Sequence, residues 1–325
     1  MSPSEKSAPN ADTLLPRIED RAELSANRKN RPRFEAGLRQ ILRDCGLGEV
    51  ALSDTVGGSM PVFGVNDNLI IKLFPHTRRP HFNNEAASLR RLAGKTPFAV
   101  PELKASGEFE TWFYVIMTRV PGVLLASLWP EADNATKATL LTNLGAAITA
   151  LHRVATATSE ETATWRAFMA QQVSNCVEHH RRNKLPEELL KQIPDYIAPA
   201  LPVIESSPVV FLHTELMREH VFVDPDRLTI TGLIDFEPST MGAVEYDFGG
   251  VPIFISQGRP QLLRAFLRGY GYRWESPALP SARLAMTYIL LHRYSNLGWF
   301  LDLLGDRRPQ NINCLEELEQ FWWTA

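Results

Sequence analysis

Cysteine is scarce in this chain of 325 residues: Cys45, Cys176 and Cys314 stand far apart. Their spacing matches no metal-ligand pattern and their odd number argues against a disulfide framework, so they read as reduced thiols of a cytosolic protein. A surplus of positive charge is missing too. Lys and Arg number 34 against 37 Asp and Glu, and such a balance excludes the basic excess that neutralises nucleic-acid phosphates. No uninterrupted apolar run approaches the ~20 residues that span a bilayer, and the polar start MSPSEKSAPNADT has no apolar stretch behind it. Neither an export signal nor a membrane anchor is therefore expected. What is present is ordinary for a soluble globular protein, with 44% hydrophobic, 22% charged and 9% aromatic residues. The length favours two compact cores over one.

The first residues, rich in Ser, Pro, Ala and Asn without periodicity, predict a disordered tail over 1–13. From Phe34 the apolar positions Leu38, Ile41 and Leu42 recur at helical spacing and stop at Cys45-Gly46-Leu47-Gly48. The stretch VALSDTVGGSMPVFGVNDNLIIKLFP, with turns at Gly57-Gly58 and Asn66-Asp67-Asn68, predicts two or three antiparallel strands. A helix across Asn84 to Ala93 follows, then two more strands after Pro101, the second ending in Trp112 to Met117. Residues 14–120 thus read as a small α+β domain, and a linker is expected near 118–124. Over 121–325 the pattern is mainly helical, with Leu140, Leu144, Ile148, Leu151 and His152 as one stripe and a β interlude from Val209 to Phe236.

The chemistry concentrates in FLHTELMREHVFVD, followed by TITGLIDFEP. Two short strands joined at Asp224-Pro225-Asp226 bring Glu215 and Asp235 to one sheet edge, an arrangement that suits a base and a divalent-cation ligand. By themselves the same residues also suit a plain hairpin with solvated acids at its ends. Lys72 stands mid-strand in LIIKLFP, where an ammonium must pair or bind something unless the strand is a solvent-facing edge. The Gly57-Gly58-Ser59 turn lets a backbone approach phosphate oxygens, as many simple hairpins also do. His152, in LHRV on an apolar helix face, reads as a satisfied core residue.

Together these segments resemble the aminoglycoside phosphotransferase and choline kinase group, a branch of the protein-kinase-like fold. That group's catalytic loop and metal-binding strand align with His213, Glu215, His220, Asp235, Gly242 and Asp247. Two positions depart from the usual type: Glu215 replaces an Asp, and His220 replaces an Asn. The resemblance implies an α+β two-lobe kinase-like fold, with a small antiparallel N-lobe, a larger helical C-lobe, and nucleotide held between them. ATP or GTP, with Mg2+ or Mn2+, would be bound through Ser59, Lys72 paired with Glu85, and the backbone around Thr118 and Val120, with Met117 beside the adenine. Glu215 would be the catalytic base, His220 and Asp235 the metal ligands, and Asp247 a residue that orders the loop.

The outline is most similar to hygromycin phosphotransferases, through IIKLF, LHRV and FVD…TGLIDF. The implied acceptor is a small-molecule hydroxyl, foremost that of an aminoglycoside. Glu131, Asp133, Glu237 and Asp302 are candidates to hold its ammonium groups, beside Tyr294, Trp299 and Phe300. Two alternatives stay open: a kinase for an amino alcohol or sugar, and a degenerate kinase-like nucleotide-binding protein, against which the presence of Lys72, Glu85 and Asp235 speaks. A cytoplasmic monomer or homodimer, without nucleic-acid or membrane partners, is expected.

Overall fold

The computed structural model describes residues 13–55, 58–272, 282–309 and 312–323. The tail expected over 1–13 lies, but for Thr13, outside them. The chain divides into two units: the first comprises Met1–Arg91 with Pro101–Arg119, the second Leu92–Val100 with Val120–Ala325.

In the first unit, α1 (Arg21–Asn27) starts at Asp20, whose carboxylate accepts the Glu23 amide at 2.8 Å. The helix α2 (Arg31–Asp44) buries Phe34, Leu38, Ile41 and Leu42, as the periodicity predicts. It stops where Gly46 takes φ 77°. The sheet contains β1 (Leu52–Asp54), β2 (Val62–Val65), β3 (Leu69–Pro75), β4 (Leu103–Phe109) and β5 (Trp112–Thr118) in the order β1-β2-β3-β5-β4, each pair antiparallel. Because β3 lies between β2 and β5, its Ile71, Leu73 and Phe74 are fully buried. Phe34 packs edge-on against Trp112, with centroids 5.4 Å apart, and thereby ties α2 to β5. The helix α3 (Arg79–Leu92) begins five residues before the expected Asn84. Pro80 suits a first helical turn, and the polar residues after it show no apolar period.

The segment Leu92–Val100 belongs with the second unit because Ala99 exchanges two backbone hydrogen bonds with it, to Thr231 O at 2.8 Å and from Leu233 N at 3.1 Å. The second unit begins with β6 (Val123–Leu124) and α4 (Leu125–Leu128). It continues with α5 (Asn134–His152), α6 (Ser159–Arg182), α7 (Glu187–Leu190), α8 (Ile193–Ile197) and α9 (Leu201–Ser206). Next come β7 (Val210–Leu212), β8 (Val221–Asp224), β9 (Thr229–Leu233), β10 (Thr240–Gly242) and α10 (Val244–Phe248). The helices α11 (Pro260–Tyr270), α12 (Ala282–Leu291), α13 (Leu297–Asp302) and α14 (Leu315–Trp323) complete it.

The β interlude holds the expected two-stranded hairpin as β8 and β9, and it adds β7 and, beyond Phe236, β10, which pair antiparallel with each other. Three residues, Thr-Met-Gly, carry no strand period that sequence reading could detect. The β8–β9 turn is set by Asp224, whose Oδ1 accepts the amides of Asp226 at 2.9 Å and Arg227 at 3.0 Å. α5 is capped by Asp133, which accepts the Thr136 amide at 2.7 Å. It packs closely on α11 through two glycines. A Cβ at Gly145 would fall 2.1 Å from Phe266 O, and one at Gly269 1.8 Å from Thr142 O. This approach brings Tyr270 against the end of α5 and fixes where His152 points. No helix among the described residues is long and apolar enough to cross a membrane.

Candidate active site

Lys72 lies at the middle of β3, opposite Val62 on one side and Val115 on the other, so its strand is internal and not an edge. It is 5% exposed, and its Nζ lies 2.8 Å from Oε2 of the fully buried Glu85 on α3. The two buried charges neutralise each other, and removing either would take from its partner a close counter-charge. The pairing read from the resemblance is therefore formed.

The expected phosphate loop is described in part. Gly57 lies outside the described residues, Gly58 has φ 94°, and Ser59 is exposed. Thr118 stands at the end of β5. Its amide donates to Glu102 O at 3.0 Å and its Oγ1 accepts the Glu102 amide at 2.9 Å, so this amide closes the sheet and is not available to an adenine edge. Val120 opens the second stretch of the other unit, buried against Gly232 of β9.

In the second unit β7 delivers the chain into His213-Thr214-Glu215, and Asp247 of α10 organises this turn. Its Oδ2 accepts the His213 amide at 2.9 Å, and its Oδ1 accepts the Thr214 amide at 2.5 Å. Oδ2 also lies 2.9 Å from His152 Nε2, while His152 Nδ1 lies 2.8 Å from the Tyr270 hydroxyl. Burial alone would raise the Asp247 pKa. The hydrogen bond and charge of His152, joined by those of His213, outweigh it and hold the carboxyl below its usual range. Two donated amides let Thr214 occupy φ 71°, a left-handed conformation that costs a β-branched residue energy.

His213 is fully buried and donates Nε2–H to Ile234 O at 2.9 Å, while its Nδ1 accepts the Glu215 amide at 3.3 Å. Both nitrogens are used as a neutral imidazole uses them, and burial together with the neighbouring His220 pushes its pKa down to about 4. His220 donates Nδ1–H to Glu215 O at 2.9 Å, which leaves Nε2 3.3 Å from Asp235 Oδ2. Nε2 and the carboxylate thus face one another as two ligands of one cation would. Glu215, His220 and Asp235 each offer one ligand atom, all within 4.8 Å of one another. This set of one nitrogen and two carboxylate oxygens fits a divalent cation, with a softer donor than an all-oxygen site provides. Asp235 follows β9 with φ 69°, the conformation that turns its carboxylate toward His220. Glu215 and Asp235 are thus neighbours, as the hairpin reading predicts.

Glu215 faces a pocket of about 100 Å³ whose walls include Thr214, His292, Tyr294, Trp299 and Phe300. His292 was not singled out in the sequence, because it lies 78 residues beyond its partner. It donates Nε2–H to Thr214 O at 3.1 Å, accepts the Tyr294 amide at 3.2 Å on Nδ1, and stacks on Tyr246 at 4.5 Å. The acidic candidates for holding a cationic acceptor are absent from this pocket's lining. Asp133 caps α5, Asp302 pairs with Arg308, Glu131 is exposed and Glu237 is buried.

Residues 54–284 match the phosphotransferase enzyme family. The chain belongs to that family, and it is a phosphotransferase whose acceptor is a hydroxyl group. Its fold is similar to the GDP complex of aminoglycoside 2'-phosphotransferase-IIIa, at 16% identity and TM-score 0.62 over 84% of this chain and 97% of that one. The aminoglycoside phosphotransferase APH(3'')-Id of Streptomyces rimosus is similar at 18% identity and TM-score 0.55, over 83% and 97% of the two chains. An aminoglycoside-3'-phosphotransferase of type VIII shares 22% identity with TM-score 0.53, over 75% and 92%. The α+β kinase-like fold, with its small antiparallel sheet and larger helical part, is that of these relatives.

Proposed function

We propose that the protein transfers the γ-phosphoryl group of a nucleoside triphosphate to an alcohol, with Glu215 as the base. The observation that supports this best is the Asp247-braced turn that sets Glu215 beside His220 and Asp235. In the reaction the acceptor oxygen attacks the γ-phosphorus and the bond from that phosphorus to the β–γ bridging oxygen breaks. The nucleoside diphosphate leaves, and the acceptor proton passes to the Glu215 carboxylate.

Nucleotide binding is supported by relatives seen with GDP and with ADP. ATP or GTP would be held in the first unit by Lys72, steadied by Glu85, with Ser59 near the phosphates. Backbone recognition of the base falls to Val120 and the Thr118 carbonyl, since the Thr118 amide is engaged. Asp235 and His220 would hold Mg2+ or Mn2+, which when bound neutralises phosphate charge. Glu in place of Asp lengthens the base by one methylene.

The resemblance names an aminoglycoside as the alcohol, and a relative is known with streptomycin. The lining of this pocket favours another alcohol, argued below. Purified protein incubated with Mg-ATP and an acceptor panel, with nucleoside diphosphate release measured beside Glu215→Ala, tests the reaction. Release that needs an acceptor and disappears in the variant is the expected result. Unchanged release in the variant would remove Glu215 from the role.

A further inference from the structure

The pocket beside Glu215 shows which kind of alcohol it receives. Its polar wall atoms are largely engaged already. Thr214 donates its hydroxyl to Pro238 O at 2.9 Å and its carbonyl accepts from His292, whose other nitrogen accepts the Tyr294 amide. Burial and the adjacent Arg293 keep the His292 imidazole uncharged, with a pKa near 4. Glu215 is then the one carboxylate in the lining among the described residues.

The opposite wall is aromatic and aliphatic. Phe254 lies 5.6 Å from Trp299 and 5.5 Å from Phe300, and Trp299 lies 5.5 Å from Phe300, with Ile253 and Ile289 behind them. Trp299 and Tyr294 are each 45% exposed at this wall, a large apolar surface left in water. A positive charge stands on that side: the Arg293 guanidinium lies 5.9 Å from the Tyr294 ring centre. Asp302, the acid on the same helix as Trp299, is paired with Arg308. An acceptor with several ammonium groups would lose water here and meet one carboxylate, the one the reaction needs. A ring-bearing uncharged body meets complementary surface along this wall.

We propose that this pocket is the acceptor subsite, and that its acceptor is an uncharged alcohol whose hydroxyl is carried on a predominantly apolar, ring-bearing body. The proposal rests on the reading of Glu215 as the base of phosphoryl transfer. The hydroxyl points to Glu215 and the rings lie against Trp299 and Phe254.

The test uses the full chain with Mg-ATP and two acceptor sets: aryl and polycyclic alcohols from 2-phenylethanol to estradiol, and the aminoglycosides kanamycin and hygromycin B. Nucleoside diphosphate release is measured beside acceptor binding by ligand-observed saturation-transfer NMR. Trp299→Ala and Trp299→Phe are run in parallel, since an exposed side chain can be cut without endangering the fold. Expected are turnover of uncharged alcohols, a KM raised about 10–100-fold by Trp299→Ala with kcat changed far less, and recovery in Trp299→Phe. Saturable turnover of an aminoglycoside overturns the proposal, as does turnover of uncharged alcohols that Trp299→Ala leaves untouched, or failure of every uncharged alcohol to bind. Binding of uncharged alcohols that Trp299→Ala abolishes, without diphosphate release for any acceptor, keeps the subsite and refutes the phosphotransfer reading instead.

Discussion

Replacing Asp247 by Asn tests whether the catalytic turn is held by a buried carboxylate. The two oxygens of Asp247 receive the His213 and Thr214 amides and lie against His152 Nε2. An Asn offers one oxygen and one NH2 group, so whichever way it turns, at least one buried amide faces a donor. Leaving that amide unsatisfied costs about 1–3 kcal/mol, and losing charge-assisted bonds adds about as much again, for a total of about 2–6 kcal/mol. In a unit of this size that is a fall in Tm of roughly 4–24 °C. Activity falls further than stability alone dictates, because release of Thr214 from φ 71° shifts Glu215, and a displacement of ~1 Å costs about 100-fold.

The sign with pH follows from the depressed carboxyl: its stabilisation is complete above the unfolded carboxylate pKa and is lost as pH falls through the lower folded value. Asp247→Asn abolishes that acid-side loss. Urea denaturation at several pH values, with kcat measured in the folded range, reads all three effects. A variant within 1 kcal/mol of wild type with kcat intact would refute the bracing argument.

Other consequences can be checked separately. Burial pushes the pKa values of His180, His213 and His292 to about 4, from about 6.5 unfolded. Stability should therefore be complete above pH 6.5 and fall toward pH 4, by about 1.4 kcal/mol per pH unit for each group. Equal stabilities at pH 7 and pH 5 in urea melts would contradict this. Lys72→Ala removes the counter-charge 2.8 Å from the buried Glu85 and should cost about 3–5 kcal/mol. Lys72→Met with Glu85→Leu should regain stability but not nucleotide turnover, and a double variant with normal turnover would rule out the phosphate role. His220→Asn should shift the rate preference from Mn2+ toward Mg2+; an unchanged metal ratio would argue against His220 as a ligand. Gly145→Ala forces a methyl group to 2.1 Å from Phe266 O, and thermal melting should show a loss of about 2 kcal/mol or more despite alanine's better helix propensity.

Much of this protein was legible in its sequence because local rules write themselves locally. The stripe of α2, the strand around Lys72, the Asp224 turn and the hairpin that pairs Glu215 with Asp235 all follow from period and turn chemistry over a few residues. The resemblance supplied the Glu85 partner, and the structure forms that pair at 2.8 Å. Tertiary structure alone decided what depends on residues far apart in the chain. The engaged Thr118 amide, the three donors gathered on Asp247, and the α5–α11 approach through Gly145 and Gly269 arise from packing of distant segments, which no local pattern encodes. The same holds for the acceptor wall. Its acids and aromatics were visible as residue types, but only folding sent Asp133 to a helix cap and Asp302 to Arg308 while it set Trp299 beside Phe254, because side-chain surroundings are a property of the assembled core.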